Sequence, residues 1–245
     1  MGSLGLQESY EYPVVDFEYS TLSPQDLAVS LSLVLAQSPA ESWRYRVLKR
    51  AIDVLFAFAM LVTCLIPCVV IAAAIALTSK GPVFYRETRI GRGGHPFQIW
   101  KFRSMRAKNP RRAPREALSH AEFHVRWRTH KDIEDPRVTS VGKFLRKWSL
   151  DELPQLLNVL SGEMSLVGPR PVVKAELPLY THLVSSYLAV TPGLSGLWQV
   201  SGRSNVNFSA RAKLDATYVE TWSLRQDMAI LARTVPAVLH RVGAR

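Results

Sequence analysis

From Val54 to Leu77 the chain runs VLFAFAMLVTCLIPCVVIAAAIAL, about two dozen residues without a charge. A helix needs roughly 20 such residues to cross a hydrocarbon core, so this segment is expected in a membrane. Its flanks argue against a simple crossing. Arg44, Arg46, Lys49 and Arg50 precede it, and Lys80, Arg86, Arg89 and Arg92 follow it, so both ends carry the charge that favours the cytoplasmic side. Pro67 stands near the middle, where it removes a backbone donor and bends a helix. Helix, break, helix, with both ends on one face, satisfies both observations; a kinked single-pass anchor is the alternative. Asp53 at the entry is expected to pair with Lys49 or Arg50 at the interface, outside any chemistry. Cys64 and Cys68 lie one helical turn apart, a spacing unsuited to a disulfide, and read as small lipid- or helix-facing residues.

The remainder divides around this segment. Residues 1–42 hold six acidic residues and no Lys or Arg, with Pro13, Pro24 and Pro39 breaking periodicity. They read as a flexible acidic tail in which residues 24–36 could form one short amphipathic helix. No signal peptide is expected, because the first apolar segment lies far from Met1 and lacks a cleavage site. From Trp43 onward, 31 basic residues face 14 acidic ones, a net +17, and such a body seeks an anionic bilayer, a phosphorylated substrate or nucleic acid. Residues 43–80 form the membrane unit and 81–245 a cytoplasmic catalytic domain. Pro82–Tyr85 and Phe97–Phe102 alternate like strands around the turn Gly91-Arg92-Gly93-Gly94, which predicts a small β-hairpin. Glu116, His120 and His124 recur every four residues, but Arg126, Arg128 and Lys131 crowd them, so a solvated helix face is preferred over a metal site. Residues 210–222 and 223–242 are helical in period, and the second suits a helix lying in the bilayer interface.

The densest chemistry runs from Asp135 to Pro171. Lys143, Arg146 and Lys147 precede Ser149-Leu150-Asp151-Glu152, which opens an apolar-periodic helix, and the rigid Gly168-Pro169-Arg170-Pro171 follows. Basic groups thus bracket two adjacent carboxylates. At a helix N-terminus the dipole keeps a carboxylate ionised and also attracts phosphate. An anionic nucleophile and an anionic substrate can then share one site if arginine and a divalent cation offset their repulsion. The spacing alone has a simpler account. Ser-x-x-Glu is a capping box, and Asp151 could itself be the cap, with Pro154 at the third helical position.

The neighbourhood changes the balance. From about Lys49 to the C-terminus the chain resembles the bacterial sugar transferase family, the monotopic phosphoglycosyl transferases. The blocks that carry the resemblance are Lys49-Arg50-x-x-Asp53, the proline-broken segment, Lys101-Phe102-Arg103-Ser104-Met105, Asp135-Pro136-Arg137-Val138-Thr139, Ser149 to Leu156, Gly162 to Pro171 and Pro192 to Arg203. The resemblance implies an α+β, predominantly helical fold: a monotopic membrane protein with a proline-broken re-entrant helix, a small β-hairpin and interfacial amphipathic helices. It implies transfer of a sugar-1-phosphate from a UDP-sugar, of the UDP-glucose or UDP-galactose kind, to undecaprenyl phosphate, on the cytoplasmic face of the bacterial inner membrane, as the first membrane step of exopolysaccharide or related glycan synthesis. Asp151 would be the nucleophile and the protein contact of Mg²⁺, with Glu152 assisting through the metal or by proton transfer. Arg103, Arg146, Arg170 and Arg203 are the candidates for phosphate contacts, since guanidinium forks suit phosphate oxygens, and Gln199 for positioning the nucleotide-sugar. No nucleic-acid-binding module is recognisable, which disfavours a basic membrane scaffold. A lipid-directed phosphatase would use the same carboxylates with water as acceptor. Oligomeric state, a homodimer included, is left open.

Single cysteine reporters near Trp43 and near Phe84, in a chain otherwise lacking cysteine, are expected to react with an impermeant thiol reagent from the same side of the membrane. Reaction from opposite sides would contradict the re-entrant reading.

Overall fold

The computed structural model describes residues 42–106, 137–202 and 206–239. The acidic tail up to residue 41, with its expected short helix, lies outside them, as do Glu116, His120, His124 and Arg203. The fold is α+β and mostly helical. A π-helical turn at Arg44–Lys49 runs into α1, Arg50–Thr63, and α2, Leu65–Thr78, follows. No single described helix is long and apolar enough to cross a membrane. The pair Val47–Thr63 and Leu65–Thr78, bent by 61°, meets the length and composition requirement together.

The bend falls at Cys64, three residues before the expected break. Pro67 explains the offset. Its ring collides with the carbonyl four residues back, at Thr63, so α1 ends there and Pro67 sits in the first turn of α2, where a missing N–H leaves no bond unmade.

The hairpin forms with longer strands than the sequence pattern gave. β1, Phe84–Ile90, pairs antiparallel with β2, Pro96–Phe102, in the register Phe84 to Phe102 and Ile90 to Pro96. Gly93 takes the turn at φ 67°. After α3, Ser140–Lys147, capped by the Thr139 hydroxyl, the chain forms a short 3-10 turn at Leu150–Glu152 and then α4, Gln155–Ser161. β3, Ser165–Val167, pairs in parallel with β4, Gly193–Ser195. Their approach is so close that a Cβ on Gly193 would stand 2.1 Å from the Gly168 nitrogen, which only glycine permits. Between them lie a kinked 3-10 segment, Lys174–Leu183, and α5, Val184–Ala189; α6, Leu197–Val200, follows β4. The two C-terminal helices match the expected pair: α7, Phe208–Glu220, capped by Asn207, and α8, Leu224–Leu239.

One apolar core gathers Leu156, Val159, Met164, Val167, Tyr218, Val219 and Ile230. α1 enters it through Ala57, fully buried, while Leu55, Phe58 and Val62 face outward. The base of α1 is fastened by charge. Lys49 Nζ stands 2.7 Å from Asp227 Oδ2 on α8 and 4.0 Å from Asp53 Oδ1. Asp53 accepts from the Leu166 amide at 3.1 Å, and Arg50 donates to the carbonyls of Val159 and Leu160 at the end of α4. The expected pairing of Asp53 with Lys49 is therefore a secondary one. Asp53 is buried against β3 and not at an interface, because an amide donor and an ammonium shared with Asp227 satisfy it there.

Candidate functional site

Four elements converge on the acid pair. Ser149 ends α3 in the left-handed region, φ 55° and ψ 21°, a conformation that costs a non-glycine residue energy and is held only by its surroundings. It turns the chain so that Asp151 and Glu152 project from the 3-10 turn into a cavity of about 1820 Å³. The capping reading fails here. Neither Ser149 nor Pro154, which precedes α4, makes a side-chain cap, and the Glu152 carboxylate is used elsewhere.

Its partners come from β2 and from the loop after β3. Along β2, Phe97, Ile99 and Lys101 share one face, since alternate residues of a strand point the same way. Phe97 and Ile99 are buried. A lysine at such a position must find an anion, and Lys101 Nζ lies 2.9 Å from Glu152 Oε1. The register of this pair is set by Asn158 on α4. It is fully buried, accepts from the Trp100 amide at 3.0 Å and donates to the Gln98 carbonyl at 2.7 Å. Arg170 Nη2 approaches the same Glu152 oxygen at 3.5 Å.

The two carboxylates consequently differ. Burial alone would raise Glu152, but Lys101 and Arg170 outweigh it and hold its carboxyl at about 2. Burial, and then the adjacent Glu152 charge, push Asp151 above the usual carboxylate range, against the opposing pull of Lys101 and Arg146. Glu152 is thus a fixed anion, ill suited to carrying protons near neutrality, and Asp151 is the more basic oxygen donor. Carboxylates driven apart in this way are a mark of divided roles.

The structure gathers Arg103, Arg146, Arg170 and Gln199 around this cavity, though their bonds differ. Arg146 faces the pair and donates from Nε to the Ser104 hydroxyl at 2.9 Å. Arg170 stays one-third exposed beside Glu152. Arg103 is buried, and its terminal nitrogens donate to the Lys80 and Ser79 carbonyls, at 3.1 and 2.6 Å, at the exit of α2. It closes the C-terminal end of the apolar helix, where free carbonyls attract a cation. Gln199 donates to the Leu194 carbonyl at 3.0 Å. Lys101 and Arg211 are among the cavity residues that sequence reasoning passed over; for Lys101, the signal was its inward position in the strand. The same cavity is lined by Phe56, Met60, Cys64 and Pro67 from the bent helices, and by Met228, Leu231, Val235 and Val238 from α8. Among the described residues no three His, Cys, Asp or Glu side chains cluster to hold a metal.

The bacterial sugar transferase family matches residues 44–241. The chain belongs to that family. The exopolysaccharide production protein ExoY of Sinorhizobium fredii is 44% identical over 191 residues, 78% of this chain and 84% of that protein. The UDP-glucose:undecaprenyl-phosphate glucose-1-phosphate transferase of Caulobacter vibrioides is 40% identical over 227 residues, 88% and 79% of the two chains. The undecaprenyl-phosphate galactose phosphotransferase of Salmonella typhimurium is 44% identical over 202 residues, 81% of this chain, which spans only 42% of that relative. In this family member the block from Ser149 to Leu156 forms the acid turn, Lys101 to Met105 runs from the Glu152 partner to the α2 clasp, and Lys49 to Asp53 anchors α1.

Replacing Lys101 with Met is expected to cost about 1.5–3 kcal/mol at neutral pH, the worth of a hydrogen bond to a charged group. Glu152 has a folded-state value below its unfolded one, so its contribution is complete above pH 4.5 and lost as pH falls through about 2. Urea unfolding of both forms in detergent should show the deficit narrowing over that interval. A deficit constant from pH 7 to 2.5 would place its origin elsewhere.

Proposed function

We propose that this chain transfers a sugar-1-phosphate from a UDP-sugar, of the UDP-glucose or UDP-galactose kind, to undecaprenyl phosphate, releasing UMP. This would begin an exopolysaccharide or related glycan at the cytoplasmic face of the bacterial inner membrane. The observation that carries it is the composition of one cavity. It is lined by Asp151, Glu152, Arg146 and Arg170 and also by apolar residues of α1, α2 and α8. A charged donor and a lipid acceptor can reach the same carboxylate there. The Caulobacter relative's name carries both UDP-glucose and undecaprenyl phosphate, and the Salmonella relative's name carries undecaprenyl phosphate and galactose.

In the first step an Asp151 carboxylate oxygen bonds to the phosphorus bearing the sugar. The bond from that phosphorus to the bridging oxygen breaks, and UMP leaves with the electron pair. In the second step an oxygen of undecaprenyl phosphate attacks the same phosphorus and the carboxylate departs unchanged. Splitting the transfer lets two bulky anions use one site in turn. The raised Asp151 favours attack, because a more basic carboxylate is a better nucleophile. Glu152, fixed by Lys101 and Arg170, keeps those cations in place, and Arg146 and Arg170 can face phosphate oxygens.

Mg²⁺ belongs to this reading. The ion commonly takes one or two carboxylates and completes its shell with water and substrate phosphates, and Asp151, a half-buried carboxylate lining the cavity, fits that donor pattern. When bound it would offset diphosphate charge.

Membrane residence follows the same reasoning. Arg50 and Asp53 tie the start of the apolar segment to α4 and β3, and Arg103 ties its end to the exit of β2. Both ends are therefore bonded to one body, and that supports a re-entrant segment with both ends at the cytoplasmic face.

Asp151→Asn keeps the size and removes the anion, so UMP release should fall by roughly three orders of magnitude or more. Its stability should hold or rise at neutral pH. A carboxyl raised in the folded state favours folding only while protonated, and its ionised form opposes folding above the unfolded value. Near-normal turnover in this variant would overturn the assignment.

A further inference from the structure

The loop that carries Arg170 is unusual in how its backbone is held. Pro169 and Pro171 have no N–H to give, so this stretch cannot be fixed by ladder donors of its own at those positions. Its three successive carbonyls are gripped from outside instead. Pro169 accepts from the Gly193 amide at 2.7 Å, Arg170 from Arg211 Nη2 at 3.1 Å and Pro171 from Arg89 Nη1 at 3.2 Å. The middle grip is the deepest. Arg211 lies in the first turn of α7, is 4% exposed, and sits with its guanidinium 4.9 Å from the Trp198 ring and 5.1 Å from Phe208. Behind it Asp215, one turn on, lies 3.8 Å from Nε and is itself held by the Tyr180 hydroxyl, which donates at 2.7 Å.

A buried arginine spent on a neighbour's carbonyl is an expensive way to make a structural bond. What it fixes here is the backbone from which the Arg170 guanidinium reaches Glu152. We propose that Arg211 is a positioning residue for the transfer reaction: by holding the Arg170 carbonyl, and being held in turn by Asp215 and Tyr180, it keeps the Arg170 guanidinium over the acid pair and at the donor's phosphates. Its place in catalysis rests on the sugar-1-phosphate reading above; the coupling to the loop does not.

The test is a double-mutant cycle on the full chain in detergent, with UMP release from UDP-glucose or UDP-galactose and undecaprenyl phosphate as one readout and hydrogen exchange as the other. Arg211→Lys keeps the charge but loses the fork that spans Asp215, the rings and the Arg170 carbonyl. It should lower kcat/KM about tenfold. Arg170→Gln should lower it at least as much, and the double variant should be no worse than Arg170→Gln within about twofold, because a residue acting only through Arg170 adds nothing once Arg170 is gone. In Arg211→Lys, deuterium uptake should rise in peptides covering residues 168–173 and stay unchanged in the β1–β2 hairpin. Defects that multiply, a fully active Arg170→Gln, or unchanged uptake at 168–173 would each overturn the proposal. If Arg211→Lys does not fold, Tyr180→Phe removes only the hydroxyl that steadies Asp215. Its smaller loss, about two- to threefold, must vanish in the Arg170→Gln background, and its absence or persistence there counts against the brace. A wild-type chain that released no UMP would sink the functional reading, while the exchange result would still decide the coupling.

Discussion

The fold depends on a buried carboxylate, Asp227, and the lysine it holds. Lys49 stands at the root of the apolar helix, 4% exposed, 2.7 Å from Asp227, and Tyr218 and Trp222 donate to the same carboxylate at 2.8 and 3.1 Å. Together with Arg50 and Asp53, this joint gives a helix whose outer face is Leu55, Phe58 and Val62 a fixed relation to a charged site. A buried pair is a poor source of net stability, but removing one member leaves an uncompensated charge and is strongly destabilising. The pair therefore specifies where α1 enters more than it adds to the total. Arg103 performs the matching task at the far end of the segment, on carbonyls that the last turn of α2 leaves free.

Between these two fastenings the chain brings together groups that repel. Asp151 and Glu152 are neighbours in sequence, and both are partly drawn out of water. Supplying cations to one and fewer to the other resolves the conflict: Glu152 takes Lys101 and Arg170 and stays ionised, while Asp151 rises. In the proposed reaction the asymmetry gives a nucleophile and a fixed counter-charge from one acid pair, and the backbone that secures it comes from close glycine contacts at Gly168 and Gly193 and from the strained Ser149.

Much of this was legible in the chain. The uncharged run and its proline gave a bent helix, alternation gave the hairpin, and period gave α7 and α8, because each signal is local. The acid pair was legible as well, but its partners were not. Ser149 to Glu152 spells a capping box, and a cap is the local solution; the structure overrides it with Lys101, 51 residues away. Arg103 reads as a phosphate ligand from its motif, yet its terminal nitrogens meet carbonyls that the α2 exit exposes, a destination fixed only once β2 and α2 are packed. Arg211 and Asp227 gave no signal at all. Each is one of several charges spaced along its helix, a pattern ordinarily belonging to a solvated face, and only tertiary packing turns it inward.

The account turns on Asp151 forming a covalent bond to the transferred group. The most direct measurement is intact-protein and peptide mass spectrometry of the enzyme quenched after incubation with UDP-glucose or UDP-galactose in the absence of undecaprenyl phosphate. A hexose-phosphate adduct on Asp151, formed with release of UMP and discharged when the lipid is added, is the predicted result. An enzyme that turns over with both substrates but carries no adduct at any quench time, and whose rates require both substrates bound together, would contradict it.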